Sequence, residues 1–384
     1  MMSSLTDQPD TISSDLFRIE SSHHPSQDEV CISRFEVVLP HSSSSLFLGC
    51  DDGQLARTGD LVGEELQEFH EIVGTGDRHR NLDVQEDDRL QRRSKKRRSS
   101  VFVTISHKLS TGLEQVGMQL WRGALLLADY LLSREEEYWR GRTAVELGAG
   151  VGFVGVLLTL VPCRRIFLTD MSASMAELMD KNLATNDHIR SHRIHPQSPF
   201  PEVCTRVLDW RRESSLQFRS SSSPTPASTP TVSDGSWSWT VQDTRALSGE
   251  DVLWLAADVI YDDEVTAQLF RLLTRVMKPG DRLLLALEKR FNFEVPTLSL
   301  VAHGYELFRK YVNVGRGVGG KHERVSVNSD KPQRQQGEEW KEKESVQVAF
   351  MGELVPLDFP QSVLGYHRGA DLELWSIALC DEEQ

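Results

Sequence analysis

The sequence lacks the run of about 18–20 apolar residues that a bilayer-spanning helix needs. Its richest stretches, Leu120–Leu132 and Phe153–Pro162, are too short. No apolar core follows the Ser/Asp-rich start, so no secretory signal is expected. Cysteine is scarce: the five residues, Cys31, Cys50, Cys163, Cys204 and Cys380, lie far apart and form no CxxC pair. That argues against a zinc ribbon, against any bound metal and against a disulfide framework. Positive charge is in deficit, with 43 Lys+Arg against 57 Asp+Glu and a net charge of -14. Such a balance disfavours direct nucleic-acid binding and is compatible with a basic partner. These absences describe a soluble protein of a reducing compartment, outside membranes, with a monomer as the default.

What is present begins with length. The 384 residues, 39% of them hydrophobic, suffice for one large domain with extensions. Residues 1–100 read as a mostly disordered extension, in which only Val30 to Leu39 alternates like a strand. Within it, residues 89–98 are strongly basic, and Arg92 to Arg98 in a serine-flanked stretch reads as a nuclear-import signal. Nuclear location, with the cytoplasm as a second site, rests on that run.

From Val101 to the end, strands and helices alternate. Strands are expected at Val101–Ile105, Thr143–Leu147, Arg165–Thr169, Val203–Leu208, Asp251–Ala257, Arg282–Leu287, Tyr305–Val312 and Leu372–Leu379. Helices are expected at Leu120–Leu132, Phe153–Val161, from the N-cap Ser172 to about Asn186, at Asp262–Met277 and at Pro296–His303. That order builds an α/β fold with a mostly parallel sheet and helices on both faces. Two segments, 211–249 and 315–345, read as flexible insertions from their Ser/Pro/Thr, Gly and charge content.

The chemistry sits where the first of these parallel strands meets its helix. Gly150, Gly152 and Gly155 form a GxGxxG, and Asp170 follows the first by 20 residues, as in a dinucleotide site. The register argues otherwise. The strand ends at Leu147, so the turn starts at Gly148 and reads Glu146-x-Gly148-x-Gly150-x-Gly152. An acid before the first glycine is of little use to a pyrophosphate. It suits a cofactor with a cationic amino-acid end, such as S-adenosylmethionine. Asp170 serves ribose hydroxyls in either reading. A helix N-terminus beyond the glycines offers free N–H groups.

Four blocks then resemble methyltransferase family 16, mainly protein-lysine methyltransferases of the class I S-adenosylmethionine-dependent type. They are Gly117 to Ala124 with Leu127 to Leu131, the glycine loop, Leu208-Asp209-Trp210, and Ala256-Ala257-Asp258-Val259-Ile260-Tyr261. The match runs over roughly 101–315 plus the last strand; the two insertions are departures. The resemblance implies a Rossmann-like, seven-stranded sheet over 101–384. It implies cofactor contacts by Trp121, Glu146, Gly148, Gly150, Gly152, Asp170, Asp209, Trp210 and Ala257. It implies catalytic roles for Asp258, which would orient an incoming amine, and Tyr261, which would shape its channel. Glu288, Lys289 and Arg290, after strand five, have two readings, the substrate mouth and a charged surface turn, of which the turn is favoured.

The expected activity is therefore methyl transfer to a lysine of a non-histone protein. A histidine or small-molecule methyltransferase, and a non-catalytic binding protein on the same fold, are the alternatives. An NAD(P) oxidoreductase would bind nicotinamide instead. No Asn-Pro-Pro-Tyr-type element stands at strand four, which disfavours nucleic-acid methylation.

Overall fold

In this computed structural model the described residues are 12–13, 29–40, 99–212, 237–249, 251–294, 298–314 and 350–380. The basic run 89–98 and most of both expected insertions lie outside them.

The chain contributes β1 (Ile12–Ser13), β2 (Val30–Val38), β3 (Ser100–Lys108) and β4 (Ser110–Thr111). β1 pairs antiparallel with β4, and β2 pairs with β3 along its whole length. Then come α1 (Arg122–Leu132), α2 (Glu136–Trp139), β5 (Thr143–Leu147), α3 (Phe153–Leu158), β6 (Arg165–Asp170), α4 (Ala173–Thr185) and β7 (Glu202–Val207). The remainder is α5 (Val241–Gly249), β8 (Val252–Ala257), α6 (Asp263–Val276), β9 (Arg282–Glu288), β10 (Asn292–Glu294), β11 (Ser299–Val301), α7 (His303–Tyr311), β12 (Val312–Val314), β13 (Phe350–Leu354) and β14 (Leu372–Leu379).

The main sheet has eight strands in the order β12-β13-β14-β9-β8-β5-β6-β7. β7, β6, β5, β8 and β9 run parallel, and β14 alone is antiparallel to its neighbours. This is the class I methyltransferase sheet expected above, with the three-residue β12 added at one edge. β5 and β8 are buried along nearly their whole length, as strands covered on both faces must be. The chain runs outward from β5 through β6 to β7, then crosses back to β8 on the other side. The carboxyl ends of β5 and β8 are therefore the switch point where such sheets hold ligands.

Local signals explain the helices beside this edge. Ser172 caps α4 by accepting the Met175 N–H at 3.3 Å, and Asp262 caps α6 by accepting the Val265 N–H at 2.9 Å. α6 turns Thr266, Leu269, Phe270, Leu273 and Val276 into the core at helical spacing.

The strand expected at Val30 to Leu39 is present as β2, so the folded unit takes in residues that a boundary at 100 leaves out. Phe35, Val37, Val101, Val103 and Ile105 join the main core, with Phe35 edge-on to Phe153 at 5.3 Å. Two asparagines, Asn182 on α4 and Asn186 at its C-cap, fasten the hairpin. Asn182 accepts the Ser106 N–H and donates to the Ser106 and Val151 carbonyls; Asn186 exchanges both bonds with Thr104. Side-chain amides spaced one helical turn apart thus pair with alternate residues of β3.

Three expectations are corrected. The helix at Pro296–His303 and the strand at Tyr305–Val312 are replaced by β11, α7 and β12. Tyr305, Phe308 and Tyr311 recur every three residues, which is helical spacing, and Phe308 is fully buried. The helix expected to reach Val161 ends at Leu158. The insertion 211–249 is structured over its last part: Trp239 packs on Phe167 at 5.3 Å and donates to the Val207 carbonyl, and α5 follows.

Candidate active site

At the switch point a cleft encloses about 1180 Å³, its open mouth included. Of the candidate residues, Trp121, Glu146, Gly148, Gly150, Asp170, Asp209, Trp210, Ala257, Asp258 and Tyr261 all line it. Gly152 stands back from the cleft, as the residue that opens α3 against Met179.

The floor is the glycine turn. Gly148, Gly150 and Gly152 have φ of 66°, 55° and 78°, a region where side chains are strained. A Cβ on Gly148 would lie 2.8 Å from the Val259 side chain, and one on Gly150 2.8 Å from the Gly117 carbonyl. The turn is therefore both left-handed and roofed by the Gly117 segment.

Two acids face this turn. Asp170 accepts the Gly150 N–H at 2.9 Å and the Met171 N–H at 2.7 Å, and burial raises its pKa despite those bonds. Glu146 is 2% exposed, and its Oε2 is buried with no hydrogen-bond partner. Burial, aided by the Asp170 charge and opposed by the Gly155 N–H, pushes its carboxyl up to about 8. Between its ordinary value of 4.5 and about 8, the folded protein holds a proton that the unfolded chain has released. Stability contributed by this protonated group is full below 4.5 and is lost as pH rises through that window. In melting curves without ligand, wild type should lose several degrees relative to Glu146→Gln between pH 5 and pH 8. A constant difference across that range would refute the assignment.

Asp258 ends β8 with φ 54°, one of two non-glycine residues at positive φ among those described. Its carboxylate is already at work. Oδ2 accepts the Gly123 N–H at 2.7 Å, in the first turn of α1, and Oδ1 accepts the Glu288 N–H at 2.9 Å. It therefore caps α1 across space, while Asp262 takes the α6 cap. Each oxygen keeps a second lone pair for an incoming group. Asp258→Ala should cost about 2 kcal/mol, since two backbone donors lose their acceptor. Asp258→Asn keeps one acceptor and tolerates the left-handed backbone, so it should cost less. Thermal melts of both variants decide this; equal melting of alanine variant and wild type would refute it.

Asp209 is held by its neighbours in the chain. It accepts from Arg211 Nε at 2.8 Å and pairs with Arg212 at 3.2 Å. Burial would raise its pKa, but the Arg211 and Arg212 bonds and charges outweigh burial and lower it. Trp210 is 8% exposed, donates to the Val265 carbonyl and sits over Gly148. Trp121 donates to the Val116 carbonyl at 3.0 Å. Tyr261 lines the wall with its hydroxyl pKa raised, burial first and the Asp170 charge second.

For Glu288-Lys289-Arg290 the sequence favours a surface turn over the substrate mouth, and Arg290 departs from that preference. Arg290 is no surface charge: it lines the cleft with its guanidinium over Trp121 at 4.2 Å. Glu288 bonds Arg122, which also reaches Asp371 at 2.6 Å. Only its position two residues after β9, at the carboxyl edge of the sheet, signals this in the sequence.

Residues 103–221 match the family described as lysine methyltransferase. Human methyltransferase-like protein 22 is 30% identical over 279 residues, 72% of this chain and 57% of that protein. The mouse protein of the same name is 29% identical over 281 residues, 72% of this chain and 59% of its own. The chain resembles the lysine methyltransferase family over residues 103–221 and methyltransferase-like protein 22 over a longer stretch. EEF1A lysine methyltransferase 3 of Xenopus tropicalis is 30% identical over 95 residues, 25% of this chain and 37% of that protein. The chain spans less than two thirds of the length of these relatives. All four blocks of family resemblance meet at the cleft, through Gly117, Gly148, Trp210 and Asp258.

Proposed function

We propose that the chain is an S-adenosylmethionine-dependent protein N-methyltransferase that modifies a lysine side chain of a non-histone protein. The observation that carries the cofactor is the unpartnered Oε2 of Glu146, buried beneath the left-handed glycines. A buried polar atom without a partner is costly, and an ammonium group would satisfy it. The same atom is out of place under a pyrophosphate.

Bound S-adenosylmethionine supplies a methyl group already activated on its sulfonium. The protein's residues then hold and orient. Glu146 takes the amino-acid ammonium and gives up its proton to do so. Asp170, anchored by two backbone amides, offers its remaining lone pairs to ribose hydroxyls. Trp121 and Trp210 supply flat walls. Asp258 offers a lone pair to the acceptor amine, and Tyr261 narrows its approach. A lysine with unperturbed pKa near ~10.4 must lose a proton, which costs about 4 kcal/mol at pH 7.4. Half-burial of the cleft mouth works in favour of the neutral amine. Alignment of reactants supplies a further ~7–11 kcal/mol where it is good.

Lysine as acceptor is supported by the family's description and by the names its relatives carry. The test is calorimetric titration with S-adenosylhomocysteine, with NAD(H) as control, followed by labelled-methyl transfer and amino-acid analysis of the product. Binding with release of a proton at pH 7, absent in Glu146→Gln, and label on lysine are expected. Nicotinamide binding alone would sink the cofactor; label on histidine would move the acceptor.

A further inference from the structure

The chain beyond β9 leaves the cleft at Arg290 and immediately forms the β10–β11 hairpin. Phe293 pairs directly with Leu300 in that hairpin, so both side chains share one face. Phe291 and Leu298 flank the two strands, just before β10 and just before β11. All four are exposed: Phe291 55%, Phe293 60%, Leu298 75% and Leu300 66%. A two-stranded hairpin with one wholly apolar, uncovered face is a poor arrangement in water unless something docks on it.

At the cleft end of this face stands a cation that shares the charge of Glu288 with Arg122. Arg122 is neutralised by Glu288 and Asp371, and Lys289 by Glu373. Arg290, half-buried on Trp121, makes no hydrogen bond or ion pair among the described residues.

We infer that the β10–β11 hairpin is the docking surface for the protein substrate, taking apolar side chains at alternate positions of an extended segment, with Arg290 pairing an acidic residue next to the modified lysine. The inference rests on the lysine methyltransferase reading. Its occupant is argued from the continuity of the chain from the cleft into this face and from the guanidinium that, among the described residues, has no ion-pair partner where they join. A guanidinium there also keeps the site from gripping a purely basic segment.

The test is an array of lysine-bearing peptides with acidic, neutral or basic flanks and with or without alternating apolar residues, methylated with labelled S-adenosylmethionine. Wild type should label acidic, apolar-patterned peptides at least tenfold above basic ones. Phe293→Asp with Leu300→Asp should cut that labelling at least tenfold while S-adenosylhomocysteine binds as in wild type. Arg290→Glu should turn the preference toward basic flanks. Equal labelling by the double variant, or an unchanged preference in Arg290→Glu, overturns the inference and leaves the function standing. A wild-type dimer that the double variant splits in sedimentation assigns the face to a second copy and overturns it too. No labelling of any peptide or cell-extract protein, with the cofactor bound, brings down the lysine methyltransferase reading itself.

Discussion

Gly150→Val should remain folded and lose S-adenosylhomocysteine affinity by about 100-fold or more. Two independent effects act at this one position. The backbone has φ 55°, where a β-branched residue is a genuine outlier. That strain alone is on the order of 1–3 kcal/mol. The new Cβ would also meet the Gly117 carbonyl at 2.8 Å. The obstacle is backbone and cannot swing aside like a flexible side chain. Relief requires the Gly117 turn, which roofs the cleft, to lift. Every ~1.4 kcal/mol is tenfold in affinity, so strain and displacement together reach the stated loss. Gly280→Ala is the control. Gly280 has φ 93° but open space around it. The substitution should cost about 1 kcal/mol of stability and leave affinity alone. Calorimetry and melting on both variants separate a damaged site from a damaged fold. Wild-type affinity in Gly150→Val would mean that the glycine turn is not where the cofactor lies.

Much of this site is legible in the sequence because its parts are local. A strand ending at Leu147, an acid at 146 and glycines at alternate positions fix a strand–turn–helix whose backbone leaves little choice. Asp170 and Asp258 follow from the same logic, each ending an apolar strand at the sheet edge. What was not legible is long-range. Nothing local says that Asp258 will accept an N–H from α1, 135 residues earlier. Arg290 looked like a surface charge because its partner, Trp121, is remote in sequence. The region after Arg290 misled through composition. Pro296 suggested a helix start, whereas Phe293 and Leu300 form a paired turnback and the helix waits until His303. The Ser/Pro/Thr texture of 211–249 likewise hid two tryptophans with specific partners.

Asp129 shows the same limit and yields the largest expected stability effect. It reads as one polar residue in an apolar helix, yet it is fully buried and saturated with donors. Oδ1 accepts the Ser362 and Val363 N–H groups at 2.8 and 2.7 Å; Oδ2 accepts from the Tyr366 hydroxyl and from Arg368 at 2.6 Å. The segment so held also bonds β2 through Val38 and Leu364, and it leads into β14, an inner strand of the sheet. Asp129→Ala would take the carboxylate from a half-buried guanidinium and strand a phenol and two backbone amides, a loss of about 3–5 kcal/mol. At roughly 2–4 °C per kcal/mol for a domain of this order, melting should fall by about 10 °C. Asp129→Asn preserves the volume but turns a donor toward one of these donors, so it should fall nearly as far. That comparison separates lost acceptors from a lost side chain. The opposite end of α1 is held by Asp258 at the cleft, so α1 spans from this anchor to the site. Loosening the anchor should therefore weaken S-adenosylhomocysteine binding only a few-fold, far less than Gly150→Val. An Asp129→Asn protein that melts with wild type would show that the acceptor count at this residue does not govern stability.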